Sequence, residues 1–270
     1  MAKSNKTILK WAGSKVRIME QLRPHLPKTK RLVEPFAGSC AVMMNTDYEQ
    51  YLIADANPDL IGLYHCISDP IEDFFESLSF CWERFNKREI YNSVRDRFNC
   101  DSNQHVYNRA ADFLILNRHC YNGLCRYNQK GGFNVPFGKY KKPYFPEKEI
   151  IAFEKKAQLA DIVCLEWQDT LSLVEDNDGV YCDPPYMGNN FTQYHTAGFT
   201  DADHEALAIA LKDINDIQGN PITVSNSPEA KALYADLGFT IHEIEAPRTI
   251  AGNGKRMPAK EIIAVLAGVN

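Results

Sequence analysis

The chain has 270 residues, 44% of them hydrophobic and 24% charged, with a formal net charge of −5 at pH 7. That length can bury a substantial core in one large domain or two small ones, and the composition is ordinary for a soluble globular protein. The overall charge does not advertise a nucleic-acid partner, so such a partner would need a local cluster of cations.

Eight cysteines stand at positions 40, 66, 81, 100, 120, 125, 164 and 182. None forms C-x-x-C, and Cys120 with Cys125 lacks the second pair of a zinc finger, so no metal site is expected. Several lie in apolar runs, as buried thiols do, which points to a reducing, cytoplasmic compartment. The opening MAKSNKTILKWAG lacks the apolar core of a secretory signal. Runs such as Ile262 to Ala267 are too short to span a bilayer. There is no internal repeat.

Taken in order, Lys10-Trp11-Ala12-Gly13-Ser14-Lys15 comes first. A glycine turn there precedes an amphipathic helical pattern (Val16, Ile18, Met19, Leu22) that stops before Pro24. Trp11 and Lys15 could grip a charged amino-acid moiety, but the hexapeptide by itself favours a core indole beside a solvated lysine. Arg31 to Pro35 reads as a strand. Phe36-Ala37-Gly38-Ser39-Cys40 is its exit turn, and Ala41 to Asn45 begins a helix. Glycine in such a turn lets backbone approach a ligand. Tyr51 to Ala54 is a second strand, ending at Asp55. An acid about 20 residues beyond a glycine turn is placed to hold a ribose diol, although a plain βαβ unit can end the same way.

From about Asn57 to Arg109 the pattern is helical and polar, with core faces at Ile61, Leu63, Tyr64 and Ile67 and at Phe74, Phe75, Leu78 and Trp82. A helix from about His105 to Cys120 follows. The next stretch, YNGLCRYNQKGGFNVPFGKYKKPYF, carries Asn122-Gly123 and Gly131-Gly132, turn signals consistent with a hairpin. Between Phe113 and Pro146 there is no Asp or Glu, but there are six cations: Arg118, Arg126, Lys130, Lys139, Lys141 and Lys142. Aromatics interleave with them. Phosphate contact and base stacking need this combination, and an acid-free run of this length favours nucleic acid over a merely solvated loop.

Helical pattern resumes over Glu147 to Ala160, and Ile162 to Leu165 is a third strand. Trp167 beyond it reads as core rather than as a surface for an adenine ring. Gly179 to Cys182 is a buried strand that stops at Asp183-Pro184-Pro185-Tyr186. Proline cannot join a following ladder and pushes its predecessor to extended geometry. The turn therefore gathers a carboxylate, a carbonyl and an aromatic ring at the carboxyl end of a strand, where open α/β sheets bind ligands. Two acceptors there can take both hydrogens of an exocyclic amine. Alone, the tetrapeptide also fits a strand end with a solvated acid. Asn189 to Phe199 reads as a mobile loop, possible as a lid. Thr200 or Asp201 caps a helix through Ile217. Pro221 to Ser225 is a fifth strand, and Phe239 to Ile244 with Glu261 to Leu266 form an antiparallel pair. Arg248 to Lys260 between them is basic. The whole is a doubly wound α/β domain interrupted by a helical, basic insert.

LKWAGSK, EPFAGS, the acid at Asp55, NRHCYNGLCRYN, FNVPFGKYKKPYFP and YCDPPY together resemble the Dam-type, alpha-group DNA adenine methyltransferases, over nearly the whole chain. The resemblance implies a Rossmann-like S-adenosyl-L-methionine (AdoMet)-dependent methyltransferase sheet with a helical plus β-hairpin DNA-recognition insert. It implies methylation of adenine N6 within GATC of double-stranded DNA by base flipping. Residues 1–56 and 145–270 would form the catalytic domain and 57–144 the target-recognition domain. Trp11, Lys15, Phe36, Asp55 and Asp183 match cofactor contacts, and Asp183, Pro184, Pro185 and Tyr186 the catalytic motif. Tyr121 matches a residue that wedges into the base stack. Lys10, Asn122, Leu124, Arg126, Pro136, Lys139 and Tyr140 match DNA contacts. Cys40 stands where the family has the second glycine of F-x-G-x-G, and His119 where close relatives have tyrosine. A monomer without metal or membrane contact is expected. The rivals are an RNA or cytosine-N4 methyltransferase, disfavoured by the insert and by Asp183, and a DNA-binding protein that has lost transfer.

Overall fold

The computed structural model describes residues 4–69, 74–101, 104–188, 199–246 and 259–269. Among these, seven strands form one sheet: β1 (Arg31–Glu34), β2 (Gln50–Ala54), β3 (Ala160–Val163), β4 (Gly179–Cys182), β5 (Ile222–Asn226), β6 (Thr240–Ala246) and β7 (Ala259–Leu266). Their spatial order is β3-β2-β1-β4-β5-β7-β6. The first five run parallel, β7 is antiparallel to β5, and β6 is antiparallel to β7.

Both faces of the sheet are buried at its central strands, and the strand sequences show why. Side chains alternate across a strand. Leu32, Tyr51, Ile53, Tyr181 and Ile263 enter one apolar cluster. Their neighbours Val33, Leu52, Val180, Cys182, Ile262 and Ala264 enter a second. Continuous apolar runs are what a sheet covered on both sides requires. Helices α1 (Met19–Leu22), α2 (Pro58–Ser68), α3 (Phe74–Cys81), α4 (Arg88–Cys100), α5 (Val106–His119) and α6 (Glu147–Ala157) supply residues to the first cluster. Helices α7 (Trp167–Leu171), α8 (Asp201–Gln218) and α9 (Lys231–Asp236) supply residues to the second. The first cluster also reaches Phe133 and Val135 of the basic loop, so the sheet and the region of the insert share one core.

Three local expectations are corrected. The helix expected from Ala41 is only a 3₁₀ turn, Met43–Asn45. Asn45 Nδ2 donates to the Ala41 carbonyl and Thr46 Oγ1 to that of Val42, each at 2.8 Å, and these bonds compete with a continuing ladder. The helix expected from Val16 to Leu22 is broken into 3₁₀ turns around the four-residue α1. The hairpin has the expected course but not a ladder: single antiparallel bridges join Cys120 to Phe137 and Tyr127 to Phe133. Side chains replace the missing rungs. Asn99 donates to the Phe133 carbonyl and accepts from its N–H, at 3.0 and 2.8 Å, and Asn128 Oδ1 accepts from the N–H groups of Lys130 and Gly132. The Asn189–Phe199 loop, up to residue 198, and most of the Arg248–Lys260 segment lie outside the described residues.

Thr200 caps α8 with a reciprocal box: its hydroxyl accepts from the Asp203 N–H, and Asp203 Oδ2 accepts from the Thr200 N–H at 2.7 Å. Thr200→Ala should therefore cost about 1 kcal/mol in urea denaturation. An unchanged midpoint would show that the cap contributes nothing.

Candidate active site

In this strand order the chain leaves β1 towards β2 on one side and reaches β4 on the other. The carboxyl ends of β1, β2 and β4 thus flank the point where strand order reverses, the place where open α/β sheets hold ligands. Three of the stretches singled out above meet here, and the N-terminal segment joins them.

Asp183 leaves the fully buried β4, and Pro184 behind it is buried too. Lys15 Nζ lies 2.7 Å from Asp183 Oδ1 and 4.9 Å from the centre of the Tyr186 ring. Lys15 is only 4% exposed, and its ammonium also donates to the Gly13 carbonyl at 2.8 Å. Gly13 holds φ +78°, a bend that suits glycine and turns that carbonyl back toward the ammonium. The buried Asp183 Oδ1 is thus charge-paired with the Lys15 ammonium. Burial pushes the Asp183 carboxyl up to about 6; Lys15 pulls it down, and Glu261 raises it further. Tyr186 donates its hydroxyl to Glu261 Oε2 at 2.7 Å.

The turn after β1 is built around Trp11. Gly38 has φ +48°, and a Cβ there would stand 2.8 Å from Trp11 Nε1, so only glycine lets the indole lie against this backbone. Cys40 takes φ +54°, the left-handed geometry that a glycine would adopt freely. The departure from F-x-G-x-G therefore preserves the bend. The Tyr64 hydroxyl donates to the Gly38 carbonyl at 2.6 Å, and the hydroxyls of Ser14 and Ser39 are 3.0 Å apart. Asp55 accepts from the N–H groups of Gly38 and Asn57, both at 3.0 Å. Contacts run unbroken from Asp183 through Lys15, Ser14, Ser39 and Gly38 to Asp55. Phe36 is half-buried, edge-on to Phe199 with ring centres 5.8 Å apart. Trp167 packs in the second core cluster, as the core reading expected.

Most of the residues expected at DNA lie on the loop after α5, which packs at Gly123 against Lys10 of the N-terminal segment. Lys10 is tied to α5: its N–H donates to Asn117 Oδ1, and Asn117 Nδ2 donates to its carbonyl. Its ammonium sits 3.6 Å from the centre of the Tyr140 ring. Burial, with help from Arg118, pulls Lys10 down to about 8. Tyr121 is 53% exposed, and its N–H donates to the Pro136 carbonyl at 2.8 Å. Asn122 and Lys139 hold left-handed backbones, at φ +56° and +53°. Asn122, Pro136 and Lys139 are exposed, while Leu124 is half-buried against the core. Arg126 is exposed, with Nε donating to Asn134 Oδ1 at 2.7 Å. One of the six cations does not belong to this surface. Arg118 is buried and donates to the Thr7 and Ile8 carbonyls. His119 is buried as well, packed on Trp82 with ring centres 4.6 Å apart, so its replacement of a tyrosine concerns the core.

Sequence reading missed three residues of the cleft. Tyr64 reads as core, Glu34 as the polar end of a strand, and Glu261 as the start of another. Burial pushes Glu34 up to about 8, and its Oε1 has no partner. Glu261 carried no local signal: that its strand, and not its partner, opposes the parallel strands follows from the sheet order.

The model of the D12 class N6 adenine-specific DNA methyltransferases matches residues 11–250. The chain belongs to this family. Among curated proteins it is 50% identical to the retron Ec67 DNA adenine methylase of Escherichia coli, over 96% of this chain and 90% of that protein. It is 41% identical to the DNA adenine methylase of Serratia marcescens (93% and 94%) and 39% identical to that of Escherichia coli strain K12 (97% and 96%). Among solved structures, precorrin-6y C5,15-methyltransferase from Geobacter metallireducens matches with a TM-score of 0.37 at 10% identity, covering 98% of this chain and 91% of that one, too distant to carry an argument. As a D12 class member the chain is an adenine-specific DNA methyltransferase, and its substrate is DNA. The cytosine and binding-only alternatives fall away. Among the described residues no helix is long and apolar enough to cross a membrane, and no cluster of three metal-binding side chains occurs.

Asp183 accepts hydrogen bonds most strongly as a carboxylate, because protonation turns one of its oxygens into a donor. With its acid raised to about 6, roughly a tenth is ionised at pH 5 and nine-tenths at pH 7. The kcat/KM of the enzyme should fall as pH drops through about 6, and Lys15→Ala, which removes the cation that favours the carboxylate, should move that limb upward. A limb near 4, or one indifferent to Lys15, would contradict the assignment.

Proposed function

We propose that the enzyme methylates adenine N6 within GATC of double-stranded DNA, taking the methyl group from AdoMet after the target base leaves the stack. The observation that carries this reading is the cluster of Lys15, Asp183 and Tyr186 at the carboxyl end of β4, in which Lys15 pairs with the acid and lies over the ring.

The residues fit the donor. When bound, AdoMet supplies an electrophilic methyl on a sulfonium. Lys15 would hold its carboxylate, Asp55 the ribose diol, and Trp11 and Phe36 would cover its apolar surface. The amino nitrogen of adenine is a weak nucleophile because its lone pair is delocalised into the ring. Asp183 and the Pro184 carbonyl accept its two hydrogens and favour a pyramidal nitrogen, and Pro185 stiffens the turn that aims them. Tyr186 stacks on the base. Catalysis is then mostly positioning.

The amine is out of reach inside a duplex, so the base has to be extruded at a cost of roughly a few kcal/mol. Tyr121, with half of its surface exposed, fills the gap. Residues 57–144 form the recognition unit in this reading. Lys10, Asn122, Leu124, Pro136, Lys139 and Tyr140 lie along the DNA, and Arg126, braced by Asn134, reads a guanine edge. A monomer in the cytoplasm is the proposed form; free cysteines, several of them buried, suit a reducing compartment.

Labelled AdoMet should transfer its methyl to a GATC duplex, and not to the scrambled duplex or to an RNA copy. Asp183→Ala should abolish transfer in a single turnover. Arg126→Ala should relax preference at one base by about 1–3 kcal/mol. Equal labelling of the scrambled duplex would overturn the GATC reading, and labelling of the RNA copy the duplex-DNA reading.

A further inference from the structure

β7 runs against the parallel strands, so its beginning, not its end, lies at the catalytic edge of the sheet. Its register fixes the point. Ile262 pairs with Asn226, the last residue of β5, and Glu261 is one step further out. Glu261 pairs with Ile244 of β6 on its other side. The side chain reaches the tyrosine of the catalytic turn, whose hydroxyl donates to Oε2 at 2.7 Å.

A tyrosine ring on a short turn has two soft torsions. Held by packing alone, it turns about both. Here it has two handles: the Lys15 ammonium 4.9 Å from its centre and the Glu261 carboxylate at its far end. The hydroxyl bond is to a carboxylate in a partly buried place, and bonds to such an acceptor are about twice as strong as neutral ones. We propose that Glu261 is a positioning residue for methyl transfer, which fixes the plane of the Tyr186 ring against which the extruded base stacks. The inference rests on the proposed stacking role of Tyr186.

Glu261 acts on a second group of the same site. The charged and titratable groups that bear on Asp183 and Tyr186 are Lys15 from the N-terminal segment, Glu34 from β1, Tyr181 and Cys182 from β4, and Glu261 from β7. Lys15 favours the Asp183 carboxylate and Glu261 disfavours it. A neutral replacement at 261 therefore both tests the hydrogen bond and shifts the ionisation of Asp183.

The experiment uses the full-length enzyme, a GATC duplex and single-turnover transfer at saturating AdoMet, with thermal melting to confirm folding. Glu261→Ala and Tyr186→Phe should each slow transfer by up to about 100-fold. The double variant should be no slower than the worse single one, because both remove the same bond. Glu261→Gln keeps an acceptor without the charge. It should recover most of the rate and move the acid limb of the pH profile downward. Affinity for AdoMet should stay within twofold in all of them. Tyr186→Ala separates the two layers of the argument. If it is inactive while Glu261→Ala and Tyr186→Phe transfer at the normal rate, Glu261 has no positioning role and the stacking role stands. If Tyr186→Ala is itself fully active, the stacking role fails, and this inference with it. Losses that multiply in the double variant would also overturn the inference, as would an acid limb unmoved by Glu261→Gln.

Discussion

Lys15 and Asp183 meet 2.7 Å apart in a place where neither has full access to water, and much of the cleft is arranged around that contact. A buried pair of charges is poor evidence of stability, because desolvation consumes most of the attraction. Its value here is positional. The lysine is anchored by the Gly13 carbonyl, the serine before it touches the turn after β1, and the acid is stiffened by two prolines. The pair ties the first segment of the chain to the fourth strand.

The sheet makes this possible by burying both faces. Strands packed on two sides cannot shift register without exposing apolar groups on one of them. The carboxyl ends of β1, β2 and β4 are thereby held in register, and three short turns inherit that rigidity. Glycine enters where the chain bends before Lys15, at Gly13, and where backbone and indole must touch, at Gly38, while the nearby left-handed bend is made by a cysteine. The price of that bend, roughly 1–2 kcal/mol, is tolerable in a residue that is itself fully buried.

Much of this was legible in the residues. Most strands lie where apolar runs meet a breaker, although β3 runs Ala160–Val163, two residues ahead of the expected Ile162 to Leu165. What was not legible belongs to long-range contact. Arg118 counts as one more cation in an acid-free run, yet its guanidinium is spent on carbonyls more than a hundred residues away. Ala41 to Asn45 has a helical look, but its side chains take the carbonyls a helix would use. Glu261 has no local motif at all. Its place at the cleft follows from the direction of β7, which only the sheet order reveals.

The central claim is that Asp183 and the Pro184 carbonyl grip the amine of an extruded adenine. A crystal structure of the enzyme with a non-reactive AdoMet analogue and a GATC duplex tests it directly. The account places the adenine amino nitrogen within about 3.2 Å of both acceptors, with the Tyr186 ring against the base. An adenine still paired in the duplex, or an extruded one whose amine lies away from Asp183 while Lys15 retains it, would contradict the account.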